Sequence, residues 1–252
     1  MVRLGQNFLA DANLLDAIVR DARLSGDEVV LEVGGGEGAL SARLAEAVSA
    51  VHVVELDERL RAPLEAVAAD HPELALHWGD AMRMDLGALD PAPTAVVANL
   101  PYAVATPLII HTITELPSVQ AWTVMVQREI ADRLRAAPGS RVYGAPSVIV
   151  QLACSVELVR AIDPAVFRPR PRVHSALIRL ERTGGAAGER VAAVVRGAFA
   201  HRRKALARSL DLAGVAERGA AVAALENLAL DPGARAEALA PEDFRRLAEA
   251  LA

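Results

Sequence analysis

The run Glu28 to Val33 (EVVLEV) leads directly into Gly34-Gly35-Gly36-Glu37-Gly38. A Val-rich run without polar alternation reads as a strand buried on both faces. The glycines after it allow a sharp turn into the helical spacing of Ala39 to Val48. The same rhythm then repeats. Val51 to Leu56, Leu74 to Trp78, Thr94 to Ala98 and Ala121 to Val126 read as strands. Glu58 to Ala69, Thr106 to Leu116 and Gln127 to Ala136 read as helices, with Pro107 placed in a first turn where proline is tolerated. Strands alternating with helices predict an α/β fold, a parallel sheet covered on both faces.

The pattern changes after the last of these helices. Pro138 to Gly144 reads as a loop, and Val156 to Ile162 and His174 to Arg182 as an antiparallel pair at the sheet's end. Thr183 to Gly188 has linker composition, and beyond it the periodicity is helical: Arg190 to Ala200, Arg202 to Leu210, a stretch near Ala220 to Leu228, and Pro241 to Leu251. The expected organisation is a ligand-binding domain over 1–183 and a smaller all-helical domain over 184–252. Aromatic residues make up 3% of the chain, so Ala, Val and Leu must build most of the core.

The single cysteine, Cys154, lies in an apolar run and reads as a small buried residue of a reducing compartment. Met1 to Ala10 lacks a charged-then-apolar signal pattern, and no apolar run approaches membrane-spanning length, which predicts a cytoplasmic location. The six histidines show no ligand spacing, so no metal is expected.

The net charge of −5 at first argues against a nucleic-acid partner, but its distribution reverses that. Residues 160–208 carry 12 basic and 3 acidic side chains, whereas 1–159 carry 11 basic and 21 acidic ones. Phosphate backbones respond to a local patch of this kind, although a solvated arginine face has the same composition.

Three strand ends carry polar residues suited to an adenosyl group. The glycine loop follows the first strand. Glu55 ends the next one, 21 residues after Gly34, where an acid can accept both hydroxyls of a ribose. Gly79-Asp80-Ala81 follows the third, where an acid can accept from an adenine amine. The loop reads G-G-G-E-G, and Glu37 would repel a pyrophosphate but not a sulfonium with a zwitterionic tail. The fourth strand runs into Asn99-Leu100-Pro101-Tyr102. An exocyclic adenine amine is a poor nucleophile because its lone pair is delocalised into the ring. The Asn99 side-chain oxygen and the Leu100 carbonyl can accept its two N–H groups, Pro101 fixes the backbone, and Tyr102 can stack on the base.

With these residues the chain resembles the small-subunit (16S) ribosomal RNA adenine N6-dimethyltransferase family over nearly its whole length. The matching segments include Leu4-Gly5-Gln6-Asn7-Phe8-Leu9, Val54-Glu55-Leu56-Asp57, Gln127-Arg128-Glu129-Ile130-Ala131-Asp132, Phe167-Arg168-Pro169-Arg170-Pro171-Arg172-Val173-His174-Ser175, His201-Arg202-Arg203-Lys204 and Pro241-Glu242-Asp243-Phe244. The resemblance implies a Rossmann-like S-adenosylmethionine-dependent methyltransferase sheet with a smaller C-terminal all-helical domain. It implies a cofactor site from Gln6, Asn7, Leu9, Gly34, Gly36, Glu55, Leu56, Asp80, Ala81 and Asn99. It further implies that Asn99, Leu100, Pro101 and Tyr102 hold the target base with Phe167 against its other face. Arg168, Arg170, Arg172, Arg202, Arg203 and Lys204 are then expected to bind RNA, the 16S rRNA of an immature small subunit, with the protein a monomer. Two positions depart from the family pattern. Gly35 stands where proline is usual, which predicts a more flexible loop, and Ala103 where Asn is common, which predicts a weaker turn.

Other readings remain. A resistance methyltransferase acting on large-subunit rRNA shares the glycine loop and a similar N-[IL]-P-[YF] motif. DNA adenine methyltransferases usually carry Pro-Pro where this chain has Leu100-Pro101. A non-catalytic assembly factor on the same fold and a dinucleotide oxidoreductase are the readings from other classes.

Overall fold

The computed structural model describes residues 8, 9 and 11–252. A short strand β1 (Phe8–Leu9) and helix α1 (Ala12–Asp21) come first. The alternating part follows as β2 (Val29–Val33), α2 (Ala39–Ala45), β3 (Ala50–Glu55), α3 (Arg61–Asp70), β4 (Leu74–Trp78), β5 (Ala95–Asn99), α4 (Ala105–Glu115) and β6 (Ala121–Gln127). Then come α5 (Arg128–Leu134), α6 (Ala145–Gln151), β7 (Cys154–Ile162), β8 (Phe167–Arg168) and β9 (Ser175–Arg182). Four helices end the chain: α7 (Glu189–Ala200), α8 (Leu206–Leu212), α9 (Arg218–Asn227) and α10 (Pro241–Ala250).

The main sheet has the order β4-β3-β2-β5-β6-β9-β7. Its first five strands are parallel, and β9 runs antiparallel to β6. The order reverses direction at β2, which has β3 on one side and β5 on the other. That reversal opens a crevice at the strands' carboxyl ends, the usual ligand position in open α/β sheets. The first glycine of the loop stays in the ladder, since Gly34 N–H donates to the Val54 carbonyl at 2.8 Å. A second, two-stranded sheet pairs β1 with β8 in antiparallel register, Leu9 opposite Phe167.

The chain forms two compact units, and the second is larger than the sequence predicts. The first takes the residues up to Ala131 with Val156–Arg182; the second takes Asp132–Ser155 with Thr183–Ala252. A single boundary at 183–184 therefore needs correction. Pro138 to Gly144 is a loop as expected, but its Tyr143, with Val148 and Leu152 of the helix that follows, joins the core of α7, α8, α9 and α10. The Tyr143 hydroxyl donates to the Leu239 carbonyl at 3.0 Å, and the Phe199 ring meets Tyr143 edge-on at 5.9 Å and Phe244 tilted at 5.7 Å. Helix α8 also begins later than predicted. Residues 202–204 form a turn, and the helix starts at Leu206. Cys154 is buried, as expected of a small apolar side chain.

Two packing features bear on the site. All five residues of β2 are buried, including Glu32, 1% exposed. The Ser41 hydroxyl, on the first turn of α2, donates to Glu32 Oε2 at 2.5 Å. Burial pushes the Glu32 carboxyl up to about 8; the Ser41 bond opposes that shift and the nearby Glu55 charge adds to it. The second feature is Gly35. A Cβ there would lie 2.3 Å from Val53 Cγ1 and 3.3 Å from Leu64 Cδ2. Its φ is not in the left-handed region, so the glycine is required by space. The position is filled by neighbouring side chains, which gives the departure from proline a packing cause rather than the looseness expected from sequence.

The folded chain keeps a proton on Glu32 that the unfolded chain releases near its ordinary value of 4.5. The contribution to stability is complete below that value and is lost as pH rises through about 8. Glu32→Gln should therefore flatten the decline of unfolding free energy over this window, which in the parent amounts to about 4 kcal/mol by linkage. Urea titrations at several pH values measure it; parallel curves for parent and variant would contradict it. Gly35→Ala should cost about 1–3 kcal/mol by overpacking. In a Val53→Ala background the cost should shrink, and strictly additive losses in the double-mutant cycle would rule the clash out.

Candidate active site

One cavity lies in the first unit at the carboxyl ends of β2, β3 and β5. Its wall is formed by Phe8, Leu9, Leu15, Glu32, Gly34, Gly35, Gly36, Glu37, Ala39, Leu40, Glu55 and Asn99-Leu100-Pro101-Tyr102. Gly34 and Gly36 have φ of +84° and +61°, a region that side chains with a Cβ rarely occupy. That conformation turns the Gly36 N–H onto Glu55 Oε2 at 3.0 Å, while the Asp57 N–H donates to Glu55 Oε1 at 2.8 Å. Glu55 is 4% exposed, and the two backbone donors offset the cost of burying its charge. Its remaining lone pairs can accept hydroxyls.

On the opposite side of β2 the site is completed by the turn after β5. Leu100 N–H donates to the Met125 carbonyl of β6 at 3.1 Å, and Val104 N–H to the Pro101 carbonyl at 3.1 Å. The latter bond closes the turn with Ala103 inside it. The Pro101 ring sits 3.7 Å from the point a Gly34 Cβ would occupy, so the glycine loop and the turn abut. Tyr102 is half-buried, and its hydroxyl is 2.6 Å from Ser175 Oγ. Burial raises the Tyr102 phenol, and the Ser175 bond opposes that rise.

The cavity wall is acidic. It carries the carboxyls Glu32, Glu37 and Glu55 and no basic side chain among the described residues. A pyrophosphate placed here would meet like charge at Glu37 and Glu55, while a ligand with net positive charge would not.

Of the residues expected from sequence, Leu9, Gly34, Gly36, Glu55, Asn99, Leu100, Pro101 and Tyr102 come together around this cavity. Gln6 and Asn7 lie outside the described residues. Leu56 is 53% exposed just past β3, and Asp80 and Ala81 follow β4; none of the three lines the cavity wall. Asp80 Oδ1 accepts the Met82 N–H at 3.0 Å, and Oδ2 is 3.5 Å from Arg83, so it organises its own turn. Gly79 N–H, next to it, donates to the Glu55 carbonyl at 2.9 Å. Phe167 differs from expectation: it is 2% exposed, packs in the core cluster of the first unit, and is not part of the cavity wall. Phe8, Leu15, Ala39 and Leu40 were not singled out from sequence. The Asp11 side chain accepts the Leu14 N–H at 2.9 Å, a capping signal that marks α1 and hence Leu15.

The basic segment 160–208 is partly consumed by structure. Arg160 pairs with Asp21 at 2.6 Å. Arg182 donates to the Val119, Ile113 and Leu116 carbonyls at 2.7–3.1 Å. Arg179 is 9% exposed and donates to the Ala22 carbonyl. Arg202 donates to the Arg141 and Tyr143 carbonyls and pairs with Glu237 at 3.3 Å, so it braces the second unit. Arg168 at the end of β8 and Arg170 and Arg172 in the connection to β9 are exposed, as are Arg203 and Lys204 in the second unit. Arg170 lies 3.8 Å from Asp163.

Residues 2–252 match the family model for ribosomal RNA adenine dimethylase. The chain is 43% identical over 244 residues to the ribosomal RNA small subunit methyltransferase A of Rubrobacter xylanophilus, covering 96% of this chain and 91% of that one. It is 46% identical over 257 residues to the protein of that name from Streptomyces coelicolor, covering 97% and 88%. Among solved structures, a dimethyladenosine transferase from Plasmodium falciparum shares the fold with a TM-score of 0.83, at 24% identity over 95% of each chain. The 23S rRNA methyltransferase ErmE aligns with a TM-score of 0.71 and 28% identity, over 97% of this chain and 99% of that one. The chain belongs to the ribosomal RNA adenine dimethylase family.

Proposed function

We propose that this protein dimethylates N6 of adjacent adenines near the 3′ end of 16S rRNA in the maturing small subunit, using S-adenosylmethionine. The observation that carries this reading is the abutment of the Asn99–Tyr102 turn on the glycine loop, with Glu55 anchored behind it. The residues fit the cofactor. Gly34 and Gly36 hold the left-handed backbone that turns the loop along the cavity, the Glu55 carboxylate suits ribose hydroxyls, and the acidic wall suits a cationic ligand. Leu9, Leu15 and Leu40 supply apolar wall. Bound there, S-adenosylmethionine supplies an electrophilic methyl group on a sulfonium.

The protein's own contribution is positioning. The Asn99 side-chain oxygen and the Leu100 carbonyl accept the two N–H groups of the adenine amine and draw its lone pair out of the ring plane. Pro101 holds the turn's backbone, and the Tyr102 ring receives the base face. These groups offer acceptors and a surface, with no ionised base among them, so the displaced proton leaves to solvent. The exposed arginines at 168, 170 and 172, with Arg203 and Lys204, are the candidates for phosphate contacts. Among the described residues no helix is long and apolar enough to cross a membrane.

The reading is tested by methyl transfer from labelled S-adenosylmethionine to unmodified small subunits, followed by nucleoside analysis. Dimethyladenosine is expected there. Transfer to large-subunit RNA instead would favour the resistance-type reading, and transfer to neither would favour a non-catalytic assembly role. Asn99→Ala should lower the methylation rate by at least about 100-fold with RNA affinity little changed; a variant as active as the parent would overturn the mechanism. Replacing Arg168, Arg170 and Arg172 together by Ala should flatten the salt dependence of RNA binding by about 0.7–0.9 log units for each phosphate that is no longer neutralised. Filter binding across a salt series measures this, and an unchanged slope would remove these residues from the interface.

A further inference from the structure

Ser175 is wholly buried at the start of β9, and its hydroxyl meets Tyr102, a residue 73 positions earlier in the chain. The strand register explains the meeting. Ser175 pairs with Gln127 at the end of β6, and Met125 of the same strand pairs with Asn99 at the end of β5. β9 is thus one strand removed from the one that carries the turn. The turn's backbone does not depend on this bond, because the Leu100 and Val104 N–H groups already hold it at both ends. What the 2.6 Å contact adds is restraint on the far end of the Tyr102 ring. A tyrosine side chain rotates about two bonds, and a partner on a buried strand removes that freedom.

We propose that Ser175 is a positioning residue, whose buried hydroxyl fixes the Tyr102 ring as a platform for the target base and matters most for the second of the two methyl transfers. This rests on the function proposed above. In each transfer an N6–CH3 bond forms, the S–CH3 bond of S-adenosylmethionine breaks to leave a thioether, and one N–H proton is released to solvent. The unmodified amine has two N–H groups for Asn99 and Leu100 to hold. The monomethylated amine has one and carries a bulkier substituent. Ring support must then supply a larger share of the alignment, so loosening Tyr102 slows the second transfer more than the first.

The test uses the full chain on unmodified small subunits, with rates resolved for mono- and dimethyladenosine. Ser175→Ala and Tyr102→Phe remove the same hydrogen bond from opposite ends. Each should lower the rate of the second transfer about 10-fold and that of the first about 2–3-fold, so that monomethyladenosine accumulates. The double variant should be no slower than either single one. Calorimetric affinity for S-adenosylmethionine should stay within twofold of the parent, since Ser175 is not part of the cavity wall and both variants keep the Tyr102 ring. A merely destabilised enzyme loses active fraction and lowers both rates by the same factor. Equal losses in the two steps, additive losses in the double variant, or parent-like rates in the single variants would each overturn the proposal. If Ser175→Ala does not fold, Tyr102→Phe alone decides through the ratio of the two rates. An inactive parent protein would instead overturn the function on which the proposal rests.

Discussion

Strand β2 has parallel partners on both edges and buried side chains along its whole length, and the position of the site depends on it. Because the sheet grows outward from β2 in two directions, the helices after β2 and β5 leave toward opposite faces of the crevice, as they must in a doubly wound sheet. The loop after β2 cannot continue as strand or begin as helix without glycine at 34 and 36. That loop in turn delivers the Gly36 N–H to Glu55, so one backbone conformation both opens the cavity and stabilises its main carboxylate.

Charge is divided by function within the chain. The cavity wall is acidic, and none of the exposed arginines at 168, 170 and 172 is part of it. Half-buried arginines do a different job. Arg182 satisfies carbonyls at the end of α4 and lies over the Trp122 ring, and Arg160 closes on Asp21. A guanidinium is suited to this because it offers several donors in a fixed plane and stays charged when partly buried. Glu32 shows the converse case. A carboxyl with one hydroxyl donor and no cation is held more easily in its protonated form.

The parallel sheet was legible because its strands are short Val-rich runs separated by helical spacing, two periods that do not mimic each other. Glu55, Asn99 and Tyr102 were legible because they stand at strand ends, where a repeating pattern places ligand-binding groups. The membership of segment 132–155 in the second unit was not. Its residues between Pro138 and Gly144 have loop composition, and Tyr143 reveals its burial only through partners near residues 199 and 239–244. The same limit hid the contact of His52 with His77 at 3.0 Å and with the Pro91 carbonyl at 2.9 Å, which ties two strands to a loop.

By itself the sequence determined which groups could meet a ligand: the glycine loop, the acid one strand on, and the Asn99–Tyr102 turn. Those choices are local, set by strand ends and by backbone conformations that one or two residues decide. Tertiary structure determined which of them share a cavity, that Phe167 faces the core, that Arg202 braces carbonyls, and that the Tyr102 hydroxyl has Ser175 as its partner. Contacts between residues far apart in the chain depend on strand register and packing, and neither spacing nor composition encodes them singly.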